Sequence, residues 1–212
     1  MTTYRLAVVT AGLSKPSATR LLADRLTEAT RRHLGDAGAA VDVSVVELRE
    51  LATDIAGNMV TGFPGPALRE AIATVTGADG VIAVTPVFSA SYSGLFKSFF
   101  DVIEPDALTG VPVLLGATGG TARHSLALEH AMRPLFVHLR ATVVPTAVFA
   151  AAEDWGGNGD PLTDTLPTRV DRAGRELAAL LRLAAPGPGE DGGATGETVV
   201  PFAQQLAALR PH

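Results

Sequence analysis

The most constraining stretch of this chain is residues 80–101, GVIAVTPVFSASYSGLFKSFFD. Residues 81–85 form a short apolar run rich in β-branched side chains, the pattern of a strand buried on both faces. Pro86 has no N–H to give to a ladder, so the strand is expected to end there. Ser89, Ala90, Ser91, Ser93 and Gly94 make a small-residue turn, after which Leu95, Phe96, Phe99, Phe100 and Ile103 recur at helical spacing. Strand, polar turn at the strand's carboxyl end, then helix is the layout of a ligand site in an open α/β sheet. Backbone groups of residues 87–91 are free to meet a flat polar ring, with Pro86 and Phe88 offering apolar contact. The same residues also suit an ordinary strand–helix connection.

The unit recurs along the chain. Residues 4–10 (YRLAVVT) read as a strand, residues 11–17 (AGLSKPS) as a turn with cap residues, and residues 18–34 as a helix. A helix N-terminus has unpartnered N–H groups and a dipole that favours an anion. Ser14, Ser17 and Thr19 add hydroxyls there, and Lys15 or Arg20 a positive charge; a plain helix cap at Ser14 or Ser17 is the alternative. Neither GxGxxG nor GxxxxGK[ST] occurs, so the loop suits a single monoester phosphate. Residues 41–48 read as a second strand and residues 67–76 as a helix. Between them, residues 49–66 read as a long irregular connection carrying Met59, Val60 and Phe63. Residues 111–117 are a further strand, followed by Thr118, Gly119, Gly120 and Thr121, where adjacent glycines allow close approach of a ligand to backbone N–H groups. His124 falls in the first turn of the next helix. His130 and His138 lie deeper in it at no metal-ligand spacing, and Pro134 is expected to bend or split it. Residues 142–149, interrupted by Pro145, suit an edge strand. Residues 153–164, with Trp155, read as an exposed loop, and Val170, Leu177, Leu180 and Leu181 mark a last helix.

Alternating strands and helices predict an α/β fold: a five-stranded parallel sheet with helices on both faces, order 2-1-3-4-5. The loops at residues 11–17 and 86–91 then meet at the switch point, with residues 118–121 beside them. The expected organisation is a domain over residues 1–184, a Gly/Pro-rich linker over 185–198, and an apolar tail over 199–212 that docks on the domain or a neighbouring subunit. Hydrophobic residues make up 47% of the 212, enough for a sizeable core. The net charge of −5 without a basic block argues against a nucleic-acid partner. The absence of cysteine excludes disulfides, thiolate catalysis and iron–sulfur clusters, so redox chemistry requires a bound cofactor. No run is long and apolar enough to span a bilayer, and residue 4 enters a strand pattern at once, so a cytoplasmic protein is expected.

Residues 85–101 (TPVFSASYSGLFKSFFD) and 114–141 (LLGATGGTARHSLALEHAMRPLFVHLRA) closely resemble the NAD(P)H-dependent FMN reductases of two-component monooxygenase systems. The resemblance spans residues 4–150, and the tail VPFAQQLAAL is similar to that of an actinobacterial branch. The first loop carries fewer Ser and Arg residues than in many members. The resemblance implies a flavodoxin-like fold, FMN as flavin, and NADPH or NADH as reductant. It implies that Ser14, Ser17 and Thr19 hold the FMN phosphate, that Pro86, Val87, Phe88 and Ser89 follow the ring edge, and that Thr118, Gly119 and Gly120 lie near the ring's polar edge, with His124 of the same block a further candidate cofactor contact. Tyr92 aligns with a tyrosine set in a π-bulged helix at an oligomer interface, which implies a homodimer or tetramer. The implied reaction passes a hydride from nicotinamide C4 to flavin N5 without an essential side-chain acid or base, and hands reduced flavin to a monooxygenase. Two other readings share the fold: a quinone or azo reductase that retains FMN, and a flavodoxin-type electron carrier. A binding module without turnover is a third. Nothing in the spacing of Arg123, Lys15 and Arg20 decides between NADH and NADPH.

Overall fold

Three apolar strands, β1 (Thr3–Thr10), β3 (Gly80–Phe88) and β5 (Pro112–Gly119), lie side by side at the centre of one sheet. The structure is a computed structural model that describes residues 2–156 and 165–184. β2 (Ala40–Glu47) pairs with the outer side of β1, and β6 (Thr142–Val143) and β7 (Val148–Ala151) both pair with β5. These pairings are parallel, and the main path runs β2-β1-β3-β5-β6. β4 (Ser91–Tyr92) folds back antiparallel on the end of β3.

The alternation of side chains along the central strands divides the core into two layers. Ala7, Val9, Val81, Ala83, Val113 and Leu115 face α2 (Ala52–Thr61), α3 (Pro66–Thr76), α4 (Gly94–Asp101) and α5 (Arg133–His138), where Phe96, Phe99, Phe100 and Phe136 pack together. Tyr4, Leu6, Val8, Ile82, Val84 and Leu114 face α1 (Ala18–Asp36) and α6 (Leu166–Ala184). The result is the doubly wound, flavodoxin-like sandwich expected of the pattern.

Four expectations need correction. The sheet has seven strands, order 2-1-3-5-6 with two additional pairings, and not five in order 2-1-3-4-5. The expected last strand is broken at Pro145 into β6 and β7. The backbone groups freed there are satisfied from both layers: Arg133 donates to Val144 O and Pro145 O, and Glu176 accepts from the N–H and hydroxyl of Thr146. Second, β3 does not stop at Pro86. The Val84 carbonyl accepts from Ala11 N, so Val84 bonds toward β1. Pro86, two residues on, faces the same side beyond Thr10, the last paired residue of β1, and no ladder bond misses its N–H.

Third, residues 49–66 are mostly helical. A 3₁₀ turn (Leu48–Leu51) leads into α2, which buries Ile55 and ends at Gly62 with φ 77°. The helix forms despite the poor propensity of Gly57 and Asn58, with Ile55 as its one buried side chain. Fourth, the helix after β5 is three pieces: a 3₁₀ turn (Ala122–His124), a π segment (Leu128–Met132) and α5. Pro134 near the start of α5 offers no N–H to the preceding turn, while Arg133 N bonds five residues back to Leu128 O. Tyr92 accordingly lies in β4, before α4, and not in a π-bulged helix. The expected linker and tail, and most of the loop at 153–164, lie outside the described residues.

Candidate active site

The strand register brings three loops to one edge. Thr10 of β1 lies opposite Val84 of β3, and Pro86 of β3 opposite Thr118 of β5. The connections that follow these residues, 11–17, 89–90 and 120–121, leave the sheet at its carboxyl end, where open α/β sheets bind ligands.

The first loop is folded tightly on itself. Ser17 caps α1, its Oγ accepting from Arg20 N at 3.2 Å. A Cβ on Gly12 would lie 2.1 Å from that Oγ, so a larger residue there would displace the cap. The first turn of α1 holds no acidic residue, and its dipole end is therefore open to an anion. Ser14 is exposed and Ser17 partly buried. Arg20 does not face the loop as a free cation. Its Nε bonds Asp24 at 2.7 Å and its Nη1 bonds Glu47 at 2.6 Å, and these carboxylates raise its pKa further. Thr19 is buried, with its hydroxyl 2.8 Å from that of Thr118, which is buried too. The two threonines thus join the start of α1 to the end of β5.

The second loop is a two-residue hairpin. Ser89 and Ala90 both have positive φ, 50° and 67°, as a primed turn requires, although glycine and asparagine are the usual residues. It leaves Phe88 half exposed and Ser89 exposed at the strand end, with Pro86 and Val87 partly buried behind them. Below the hairpin, Thr85 Oγ1 accepts from Ser93 N at 3.1 Å, and Ser93 caps α4. Tyr92 is partly buried, its ring 6.0 Å from that of Phe96.

In the third loop the two glycines differ. A Cβ on Gly119 would meet the Phe149 ring at 2.8 Å, whereas nothing lies within 4 Å of one on Gly120. A side chain at Gly120 would therefore enter open space. His124 is exposed at the end of its 3₁₀ turn. The strand ends therefore gather Ser14, Ser17, Phe88, Ser89, Gly119 and Gly120 at one edge. Thr19 and Thr118 lie beneath them, and Tyr92 lies to the side of α4. Leu13, half exposed in the first loop, and Arg49, whose Nη1 donates to Ser14 O at 3.1 Å, were not expected there. Arg49 follows β2, and the 2-1-3 order was the signal that could have found it.

The opposite edge of the sheet also carries a cleft, lined by Tyr4, Asp79, Val111 and Leu181 among others. Its one carboxylate, Asp79, is held by Arg5, and nothing else in it is charged. Among the described residues no group of three or more His, Asp or Glu side chains could hold a metal, and no helix is long and apolar enough to cross a membrane.

Comparison with known proteins identifies the family. The family model described as NADPH-dependent FMN reductase matches residues 4–156. FMN reductase (NADPH) of Pseudomonas aeruginosa is 33% identical over 177 residues, 84% of this chain and 92% of that protein. The NADH-dependent FMN reductase SfnE of Pseudomonas putida is 34% identical over 184 residues, 87% of this chain and 90% of its own length. A crystal structure of an oxidoreductase from Corynebacterium diphtheriae is 46% identical, with a TM-score of 0.81, over 86% of this chain and 99% of that one. With the match covering β1 through the turn after β7, the chain belongs to the NADPH-dependent FMN reductase family.

Proposed function

We propose that this enzyme reduces FMN with NADPH or NADH at the β1–β3–β5 edge and releases the reduced flavin to a flavin-dependent monooxygenase. The observation that carries the reading is the open approach over Gly120 beside the acid-free N-terminus of α1. That pairing suits a ligand with a flat polar ring at one end and a phosphate at the other. When bound, FMN supplies the redox chemistry, as acceptor of the hydride that nicotinamide C4 gives to flavin N5.

The chain's own residues bind and orient. Ser14, Ser17 and the first N–H groups of α1 hold the phosphate. Thr19 and Thr118, bonded to each other, hold the phosphate loop against the ring loop. Pro86, Val87, Phe88 and Ser89 follow the ring edge. The N–H groups at Gly119 and Gly120 face the ring's polar side, where they favour negative charge, and His124 stands at the rim. No side chain is required as general acid or base. Half-exposed Phe88 and exposed Ser14, Ser89 and Gly120 support a flavin that leaves as product.

The test is NADPH and NADH oxidation by desalted protein, with and without added FMN. Turnover that depends on added FMN and saturates in it is the expected result. Turnover of a quinone without added FMN would instead make this a flavoprotein that keeps its flavin. Release is checked by filtering the reduced mixture: reduced flavin must pass the membrane and support a monooxygenase on the other side. We further propose a homodimer or tetramer, with Tyr92 among its contacts. Exposed Met59, Val60 and Phe63 at the end of α2 support a covered face. A monomer by light scattering at assay concentration would refute it.

A further inference from the structure

The first loop is held from outside by a neighbouring strand end. Arg49 lies in the 3₁₀ turn after β2, and Glu47, the last residue of β2, lies opposite Thr10. The turn therefore rises beside residues 11–17. The Arg49 side chain is only 18% exposed, and its Nε is buried without a hydrogen-bond acceptor, 3.7 Å from Glu47 Oε2. Its Nη1 donates to Ser14 O at 3.1 Å. The other Glu47 oxygen accepts from Arg20 at 2.6 Å. One carboxylate thus joins the arginine in the first turn of α1 to the arginine that grips the loop.

The consequence follows from peptide geometry. The Ser14–Lys15 peptide is trans. In a trans peptide the C=O and the following N–H point in opposite directions. Drawing the Ser14 carbonyl toward Arg49, on the β2 side, turns the Lys15 N–H away from β2. It also keeps a carbonyl dipole from facing an anion. Arg20, held by two carboxylates, does not do this work.

We propose that Arg49 is a positioning residue for the phosphate of the bound flavin, acting through the Ser14–Lys15 peptide. The proposal rests on the FMN reading above. It predicts an effect confined to flavins that carry the phosphate. The experiment titrates the full chain with FMN and with riboflavin, following flavin fluorescence, for wild type, R49A, R49K and R49Q. For R49A the FMN Kd should rise about tenfold while that of riboflavin stays within about twofold, the size expected for loss of a charged hydrogen bond. R49K, whose ammonium can still donate to Ser14 O, should recover most of the loss. R49Q, too short to reach, should not, and it gives the same reading if R49A fails to fold. A wild-type ratio of FMN to riboflavin affinity in R49A and R49Q overturns the proposal alone. A wild-type protein that binds riboflavin as tightly as FMN overturns the phosphate reading of the loop, and the proposal with it.

Discussion

Gly119 and Gly120 are neighbours with different obligations. Gly119 is glycine because Phe149 occupies the space of its Cβ, while no atom of the described chain requires Gly120 to be one. Gly119→Ala should therefore destabilise the fold, by about 1–3 kcal/mol as overpacking does. Gly120→Ala should leave the urea midpoint close to wild type and weaken FMN. Equal stability losses in the two variants, with FMN affinity unchanged in Gly120→Ala, would remove Gly120 from the site. The Gly-Gly pair was legible as a loop for close approach. That Gly119 must also leave room for the Phe149 ring was not, because Phe149 lies thirty residues away. Ser89 and Ala90 teach the same lesson: their positive φ values, a strain of about 1–2 kcal/mol each, follow from the β3–β4 pairing and not from their residue types.

At the scale of elements, the site depends on how α1 is pinned to the sheet. The Thr19–Thr118 hydrogen bond is buried and joins residues 99 apart in sequence. Thr118→Val should cost about 1–3 kcal/mol, because it leaves the Thr19 hydroxyl buried and unsatisfied. The double variant Thr19→Val/Thr118→Val should recover most of that, since it removes both polar groups together. Urea unfolding of the two singles and the double closes the cycle, and strictly additive losses would contradict the pairing. Both threonines stood out in the sequence as candidate ligand contacts. Their bond to each other is a product of the fold, as is the conversion of residues 52–61 from an expected loop into α2.

At the scale of the molecule, α1 and α6 form one covering layer. Gly174 lets them approach so closely that a Cβ there would sit 2.7 Å from that of Ala29. Asp171 of α6 closes the contact at the surface, where it bonds His33 at 2.9 Å and Arg32 at 2.5 Å. The hydrogen bond from His33, and then that from Arg32, hold its carboxyl below the usual carboxylate range. A depressed carboxyl stabilises the fold above its unfolded pKa, about 3.9, and that contribution is lost as pH falls through the folded value. Asp171 is nearly half exposed, so the effect is small. Asp171→Asn should lower the urea midpoint slightly at neutral pH, and the gap should close in acid below the folded pKa. A gap that persists there would assign the loss to packing.

The alternation of strands and helices was determined by the sequence itself. Each apolar, β-branched run followed by a small-residue loop and a helical stripe is a local pattern, and local patterns dictate strand, turn and helix through burial and backbone freedom. The doubly wound topology, and with it the gathering of residues 11–17, 86–90 and 118–121 at one edge, followed from that order by connection rules. Only the tertiary structure decided the rest. It broke the last strand at Pro145, carried β3 past Pro86, turned Thr19 and Thr118 to each other, and brought Arg49 to Ser14. Each of these depends on which backbone or side-chain partner is present across the fold, and such partners are far apart in the chain.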